Sequence, residues 1–250
     1  MQEQVLPLIA RVAPAGEAPR TRAMKVSGLS ELDVQGRILD LFEAEGSREA
    51  PALTLLASPA EISVIVRGGD AARVEAIFEQ ARARLGEHVF AEDLDISLEA
   101  AVGRLLASRA LKLACAESCT GGMLGALITK VPGSSGWFLQ GWVAYANDAK
   151  RSMLEMDAAL IEKHGAVSPQ VAEAMALAAR RLSGADIGVG ITGIAGPQGG
   201  SPEKPVGLVH IGVDTCRGCR TTKHIFPGDR ETIRIFAART ALNRVRLEAP

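Results

Sequence analysis

The chain has 250 residues, 47% of them hydrophobic, and its 28 basic and 29 acidic residues give a formal net charge of -1. That balance excludes the basic excess of a nucleic-acid or anionic-membrane binder, and an aromatic content of 4% leaves few base-stacking platforms. No apolar run reaches the roughly 18 to 20 residues of a spanning helix, and MQEQVLPLIARVAP lacks a secretory pattern. Four cysteines fit reduced thiols, so a cytoplasmic globular protein is expected.

In chain order, the stretch 1–22, with Pro7, Pro14, Gly16 and Pro19, reads as a poorly structured lead-in. From Ala23, AMKVSG reads as a strand and SELDVQGRILDLFEAEG as a helix through Leu32, Ile38, Leu39 and Phe42, with Ser30 as N-cap. ALTLLAS and EISVIVRG follow as strands about Pro59 and Ala60. Asp70 caps a helix through Val74, Ile77, Phe78, Ala81 and Leu85, and HVFAED adds a last strand. The order β-α-β-β-α-β over residues 23–93 predicts a small split β-α-β sandwich of a ferredoxin-like or related RNA-binding-type topology. It offers no G-x-x-G clamp between its helices and no outward aromatic stripe, which argues against RNA binding.

Acidic AEDLD, residues 91–95, reads as a hinge into a second domain, 96–250. ISLEAAVGRLLASRA then predicts a helix with Leu98, Val102, Leu105 and Leu106 on one face, followed by strand LKLACAE. GMLGALITK reads as a helix and GWVAYAN as a strand. SPQVAEAMALAARRLSG reads as a helix with Ser168 at N-cap and Pro169 at N1, and ADIGVGITGIAG as a buried strand entering a glycine loop. VGLVHIGVD and RTTKHIF form a hairpin, and DRETIRIFAARTALNRVRLE a long final helix. Strands interleaved with helices predict a three-layer α/β/α fold, with ligands beyond the carboxyl ends of the strands.

Three segments can carry chemistry. AESCTGG, residues 116–122, reads as a nucleophile, a phosphate cradle at a helix N-terminus, or a tight strand-to-helix turn. ITGIAGPQGGSPEKPVG, residues 191–207, is a long glycine- and proline-rich loop of the functional kind. VPGSSGWFLQGWVAYANDAK, residues 131–150, gathers Ser134, Ser135, Trp137, Trp142, the only tyrosine and a lysine. A serine near a tyrosine or lysine suits nucleophile and base, since a neutral amine or phenolate accepts the serine proton. Elsewhere, His210, Cys216, Cys219 and His224 include a C-x-x-C pair, but in a hairpin turn without a second closely spaced pair. Cys115 and Cys119 raise a thiol nucleophile, and His164 reads as a loop residue. Arg230 opposes the dipole of the last helix, a placement that an anionic partner would explain.

Together AESCTGG, PGSSGWF, VAYANDAK, HGAVS, TGIAGPQGGSPEKPVG and FPGDR, in that order and spacing, closely resemble the C-terminal domain of the CinA family of competence/damage-inducible proteins, the nicotinamide-nucleotide amidases. Residues 96–247 carry the resemblance. Residues 23–93 resemble the KH-type middle domain of longer members and 1–22 the tail of their N-terminal domain, so a fragment or short form is expected. The resemblance implies hydrolysis of the carboxamide of nicotinamide mononucleotide to nicotinate mononucleotide and ammonia, without metal or cofactor, in a homodimer with no nucleic-acid or membrane partner. It implies Ser135 as nucleophile, with Tyr145 and Lys150 taking and relaying its proton. Ser118, Thr120 and Thr192, with backbone N–H groups at Gly121, Gly122 and Gly193, would face the oxyanion or phosphate, and Arg230 and Lys204 would hold the phosphate. Ala146 stands where relatives often carry serine, and the CRGC hairpin is peculiar to this chain. On this reading AESCTGG is a donor-rich cradle rather than the nucleophile. The alternative is an idle nucleotide-binding scaffold.

Overall fold

The computed structural model describes residues 19–43 and 50–250, so most of the expected lead-in and the end of the first expected helix lie outside the described residues. The first sheet contains β1 (Arg20–Val26), β2 (Ala52–Ser58), β3 (Glu61–Gly68) and β4 (Val89–Ala91) in the antiparallel order β2-β3-β1-β4. With helices α1 (Glu31–Ile38) and α2 (Ala71–Leu85) this is the split β-α-β arrangement expected of the pattern. Met24, Val26, Val64 and Val66 face Val74, Phe78 and Leu85 in its core. Strand β1 starts three residues before Ala23. Arg20, Thr21 and Arg22 show no apolar alternation, but their backbone pairs with Gly68, Arg67 and Val66. The first helix breaks at Leu39, and a separate helical turn spans Asp40–Glu43.

The second sheet has the order β6-β5-β7-β8-β9. Strands β5 (Leu113–Glu117), β6 (Phe138–Val143) and β7 (Ile187–Gly193) run parallel, and β8 (Leu208–Thr215) and β9 (Gly218–Ile225) add an antiparallel hairpin. On one face Leu113, Cys115, Val189 and Ile211 pack against α3 (Leu98–Ser108), α4 (Met123–Thr129) and α8 (Arg230–Glu248). On the other, Ala114, Ala116 and Trp142 meet α5 (Asn147–Leu154), α6 (Ala158–His164) and α7 (Pro169–Ser183). The chain is therefore a three-layer α/β/α unit preceded by a smaller α+β unit, and Arg239 and Arg246 of α8 donate to Pro59 O and Glu87 O across the two. Among the described residues no helix is long and apolar enough to cross a membrane.

Three local readings change. Strand β6 ends at Val143, so Tyr145 follows the strand rather than lying in it. Helix α5 was not anticipated because its buried face consists only of Lys150 and Leu154, too few for an apolar period. His164 is the last residue of α6 rather than part of a loop. Helix α7 matches its caps: Ser168 Oγ accepts from Val171 N, Pro169 sits at N1, and Gly184 ends it.

Helix α7 lies unusually close to the sheet because β7 and β8 present glycines to it. A Cβ on Gly190 would stand 2.3 Å from Ala172 O and 2.5 Å from Ala176 N. Backbone of a packed helix cannot retreat from such a contact without opening the core. Gly190→Ala is expected to lower unfolding free energy by about 1–3 kcal/mol or more. Urea denaturation measures this, and a change below ~0.5 kcal/mol would contradict the packing described.

Candidate active site

The pocket at the carboxyl edge of the parallel strands is built around one carboxylate. Glu117 ends β5 and is 2% exposed. Its Oε2 accepts from Gly122 N at 3.1 Å and Leu124 N at 3.0 Å, and its Oε1 accepts from Gly125 N at 2.9 Å. Three otherwise unpaired donors at the start of α4 are thereby satisfied by a buried negative charge that also suits the helix dipole. This revises the reading of AESCTGG as a cradle for ligand. The Gly122 donor is spent on Glu117, and Gly121 N donates to Ser118 O in the turn. Positive φ at both glycines, 57° and 91°, is what lets the chain turn that sharply. Thr120 is fully buried outside the pocket, its carbonyl accepting from Arg234 Nε and Nη2 at 2.9 and 2.8 Å.

What the turn does present is Ser118. It lines a cavity of about 280 Å³ together with Cys119, Tyr145, Lys150, Thr192, Gly193 and Arg230. Lys150 is 1% exposed, and among the described residues no carboxylate forms an ion pair with it. Its Nζ donates to Tyr145 O at 3.1 Å. Burial lowers its pKa below the ordinary lysine value of 10.5, partly opposed by the neighbouring Cys119. Cys119 is a poor nucleophile here, because burial pushes its thiol up to about 12 and leaves it protonated near neutrality.

Ser135 is not in this pocket. It lies in a 3-10 turn, Ser134–Gly136, before β6, whereas the pocket opens beyond the other end of that strand. Six residues of strand separate the two ends by about 20 Å. The expected pairing of Ser135 with Tyr145 and Lys150 therefore fails within one chain. The Tyr145 hydroxyl is engaged elsewhere, accepting from Arg230 Nη2 at 2.7 Å, while Arg230 Nη1 donates to Gly196 O at 2.7 Å. Thr192 Oγ1 donates to Ala166 O at 2.7 Å and Lys204 Nζ to Val167 O at 2.8 Å. Both hold the segment that forms one wall, and Lys204 does not line the cavity. Gly193 does, and a Cβ there would stand 2.5 Å from Leu208 O.

Asn147 and Gln198 also line the pocket and were not singled out from the sequence; Gln198 stood within the glycine-rich loop and Asn147 within VAYANDAK. Arg234 and Glu117 were likewise missed, although Arg234 lies one helical turn after Arg230 on the same face. A larger cleft, about 590 Å³, lies in the small unit beside the Arg82–Glu92 ion pair and carries no candidate nucleophile. His210 is on β8, Cys216 is at the hairpin tip, and among the described residues no three His, Cys, Asp or Glu side chains are arranged to hold a metal.

Ser118, the buried Lys150 and Arg230 thus line one pocket at the carboxyl edge of an α/β sheet, the place where folds of this class take their ligands. The CinA C-terminal domain model matches residues 95–248, and the chain belongs to the CinA family. It is 42% identical over 245 residues to a CinA-like protein of Geobacter sp. (strain M21), covering 97% of this chain and 58% of that relative. The chain thus spans less than two thirds of the length of the curated relatives it matches. The crystal structure of the competence/damage inducible protein CihA from Agrobacterium tumefaciens is similar, with 38% identity and a TM-score of 0.57 over 61% of this chain and 96% of that one. So is competence damage-inducible protein A (ComA) from Klebsiella pneumoniae subsp. pneumoniae MGH 78578, with 34% identity and a TM-score of 0.59 over 60% and 94%.

Glu117→Gln keeps the shape but cannot accept all three N–H donors, since its amide nitrogen meets at least one of them. It is expected to cost about 1–3 kcal/mol. Thermal unfolding checks this, and a variant as stable as the original would remove Glu117 as the organiser of the turn.

Proposed function

We propose that the chain hydrolyses the carboxamide of nicotinamide mononucleotide, giving nicotinate mononucleotide and ammonia, with Ser118 rather than Ser135 as nucleophile. The observation that carries this reading is the common pocket of Ser118 and the buried, carboxylate-free Lys150. Neutral Lys150 Nζ takes the proton as Ser118 Oγ attacks the amide carbon, forming a tetrahedral oxyanion. Collapse breaks the C–N bond, and the Lys150 ammonium returns its proton to the leaving nitrogen, releasing ammonia. The remaining ester on Ser118 is hydrolysed by a water whose proton goes to Lys150, freeing the carboxylate and restoring the serine hydroxyl. A lysine with its pKa lowered by burial is suited to this shuttle because a larger share of it is the neutral amine than of an exposed lysine at the same pH. Arg230 is the phosphate partner in this reading, with the Tyr145 hydroxyl fixing its orientation.

Ammonia release from nicotinamide mononucleotide tests the assignment. Ser118→Ala and Lys150→Arg are each expected to lose at least about a thousandfold in kcat, the second because a guanidinium stays charged and cannot serve as base. Undiminished turnover in either would sink the pair. In the original chain kcat/KM should rise with pH and level off at an apparent pKa below 10.5, since only the neutral amine accepts the serine proton. A profile flat through that range would contradict Lys150 as base.

Arg230→Ala should raise KM for the mononucleotide about tenfold to a hundredfold, the worth of a charge-assisted hydrogen bond of ~1.5–3 kcal/mol, and leave the riboside nearly unaffected. Equal losses on both substrates would remove the phosphate from Arg230.

A further inference from the structure

A second cavity lies where the two units meet. Of about 430 Å³, it is bounded by Leu29, Ala57 and Ile62 of the small unit and by Phe226, Pro227 and Phe236 of the large one. That volume falls in the range of roughly 300–1,000 Å³ typical of small-molecule sites, and interfaces between units are a usual place for them. Its walls are held by bonds of their own: Ser27 Oγ donates to Ala60 O at 2.7 Å and Arg239 Nη1 to Pro59 O at 3.1 Å. On the side of the large unit the rings of His224, Phe226 and Phe236 form one stack, with centroids 5.3 and 5.5 Å apart and planes within 5° and 12° of each other. Aromatic walls take a further ring, and their electron-rich faces favour a cation.

Charge around the cavity has one sign. Two carboxylates, Glu31 and Glu61, line it, and no lysine or arginine does. Buried Glu61 is met by Lys25 Nζ at 3.0 Å and Arg239 Nε at 3.6 Å, whereas exposed Glu31 forms no ion pair among the described residues. The positive end of α1 is already answered, since Asp33 accepts from Ser30 N. Nor does His224 add an opposing charge, because burial, with Arg244 nearby, lowers its pKa and keeps the imidazole neutral near pH 7. A phosphate or carboxylate would face Glu31 with no cation to receive it, so an anionic mononucleotide does not suit this cavity.

We propose that the cavity is a second ligand site, that its ligand is an aromatic amine in the ammonium form, and that occupancy there tightens the hold of Arg230 on the substrate of the catalytic pocket. The ring of the ligand lies against the aromatic wall and its ammonium group meets Glu31. The last part rests on the phosphate role given to Arg230 above. Two short connections support it. Pro227 precedes Arg230 by three residues, and Phe236 and Thr240, which also line the cavity, stand on the helix that Arg230 begins. Through the backbone, Phe226 N donates to Gly207 O at 3.0 Å and Gly207 N to Ile194 O at 2.8 Å, and Ile194 lines the catalytic pocket. A Cβ on Gly207 would stand 2.2 Å from Phe226 O, so this contact has no slack. A ligand that touches both units favours the arrangement in which both walls are engaged, and the segment between Phe226 and Arg230 is then ordered before the substrate arrives.

Calorimetric titration of the full chain with tryptamine, and with indole-3-propionate as the same ring carrying the opposite charge, decides the site. Tryptamine should bind saturably with a Kd of about 1 mM or tighter, and the carboxylate at least about tenfold more weakly. Glu31→Lys, at an exposed position, should stay folded by circular dichroism and reverse that preference, while Ala57→Phe should fill the cavity and weaken both probes. No saturable binding of tryptamine, equal affinity for the two probes, or a preference that Glu31→Lys leaves unchanged would overturn the site. So would full displacement of tryptamine by nicotinamide mononucleotide, which would put the amine in the catalytic pocket instead. Saturating tryptamine should lower the KM for nicotinamide mononucleotide about fivefold or more, an ordinary strength of coupling between sites, and leave kcat within about twofold. An unchanged or raised KM, or the same fall in KM with Glu31→Lys, would overturn the coupling to Arg230. Absence of both turnover and mononucleotide binding would overturn the amidase reading and the coupling with it, while tryptamine binding, which needs no substrate, still decides the site.

Discussion

The buried carboxylate of Glu117 is the constraint on which the site depends. At the end of β5 the chain must turn sharply into α4, and that turn would leave helix N–H groups facing a dry core. Glu117 accepts three of them, so a residue of the strand caps the helix that follows it. The turn between them has little freedom left, and Ser118, at its start, is held at the floor of the pocket with its own N–H bonded to Ile191 O. Arg234 fixes the far side of the same turn through Thr120 O. Serine placement is thereby set by backbone hydrogen bonds rather than by its own side chain, which leaves the hydroxyl free for chemistry.

Rigidity on the other wall has a different source. Glycines at 188, 190 and 212 let α7 approach the sheet within backbone contact, and the segment entering that helix carries Ala166 and Val167 into the pocket. Thr192 and Lys204 tie that segment down through its carbonyls. Lys150, enclosed between these walls and paired with no carboxylate among the described residues, is pushed toward the neutral amine by the same exclusion of water that the packing creates. The first turn of α8 spans the opening: Arg230 reaches Tyr145 and the glycine-rich loop, and Arg234 reaches the Ser118 turn.

Much of the fold was legible because local chemistry and tertiary packing agree. Ser168, Pro169 and Gly184 announce α7, and ALTLLAS and the β-branched run EISVIVRG, parted by Pro59 and Ala60, announce the strands that form β2 and β3. Helix α5 was not legible, since its packing rests on a buried lysine and one leucine. Of the site, Lys150, Tyr145, Arg230, Thr192 and Gly193 were brought to one place along with Ser118. Ser135 was not, and the reason is topological: proximity in sequence to Tyr145 hides an intervening strand that separates them by its whole length. Reading GWVAYAN as a strand put Tyr145 inside it and concealed that Ser135 precedes β6 while Tyr145 follows it. In a parallel sheet only residues after a strand reach the carboxyl edge, so strand boundaries decide which serine belongs to the site. The role of Glu117 was hidden for another reason, since an acidic residue ending a strand reads as surface until the helix start it caps is known.

The central claim, acyl transfer through Ser118, is tested most directly by mass spectrometry of the chain quenched during turnover of nicotinamide mononucleotide. The account predicts an adduct of the substrate less ammonia on the peptide that contains Ser118. An adduct on Ser135 or Cys119, or turnover through a trapped state with no covalent adduct at all, would contradict it.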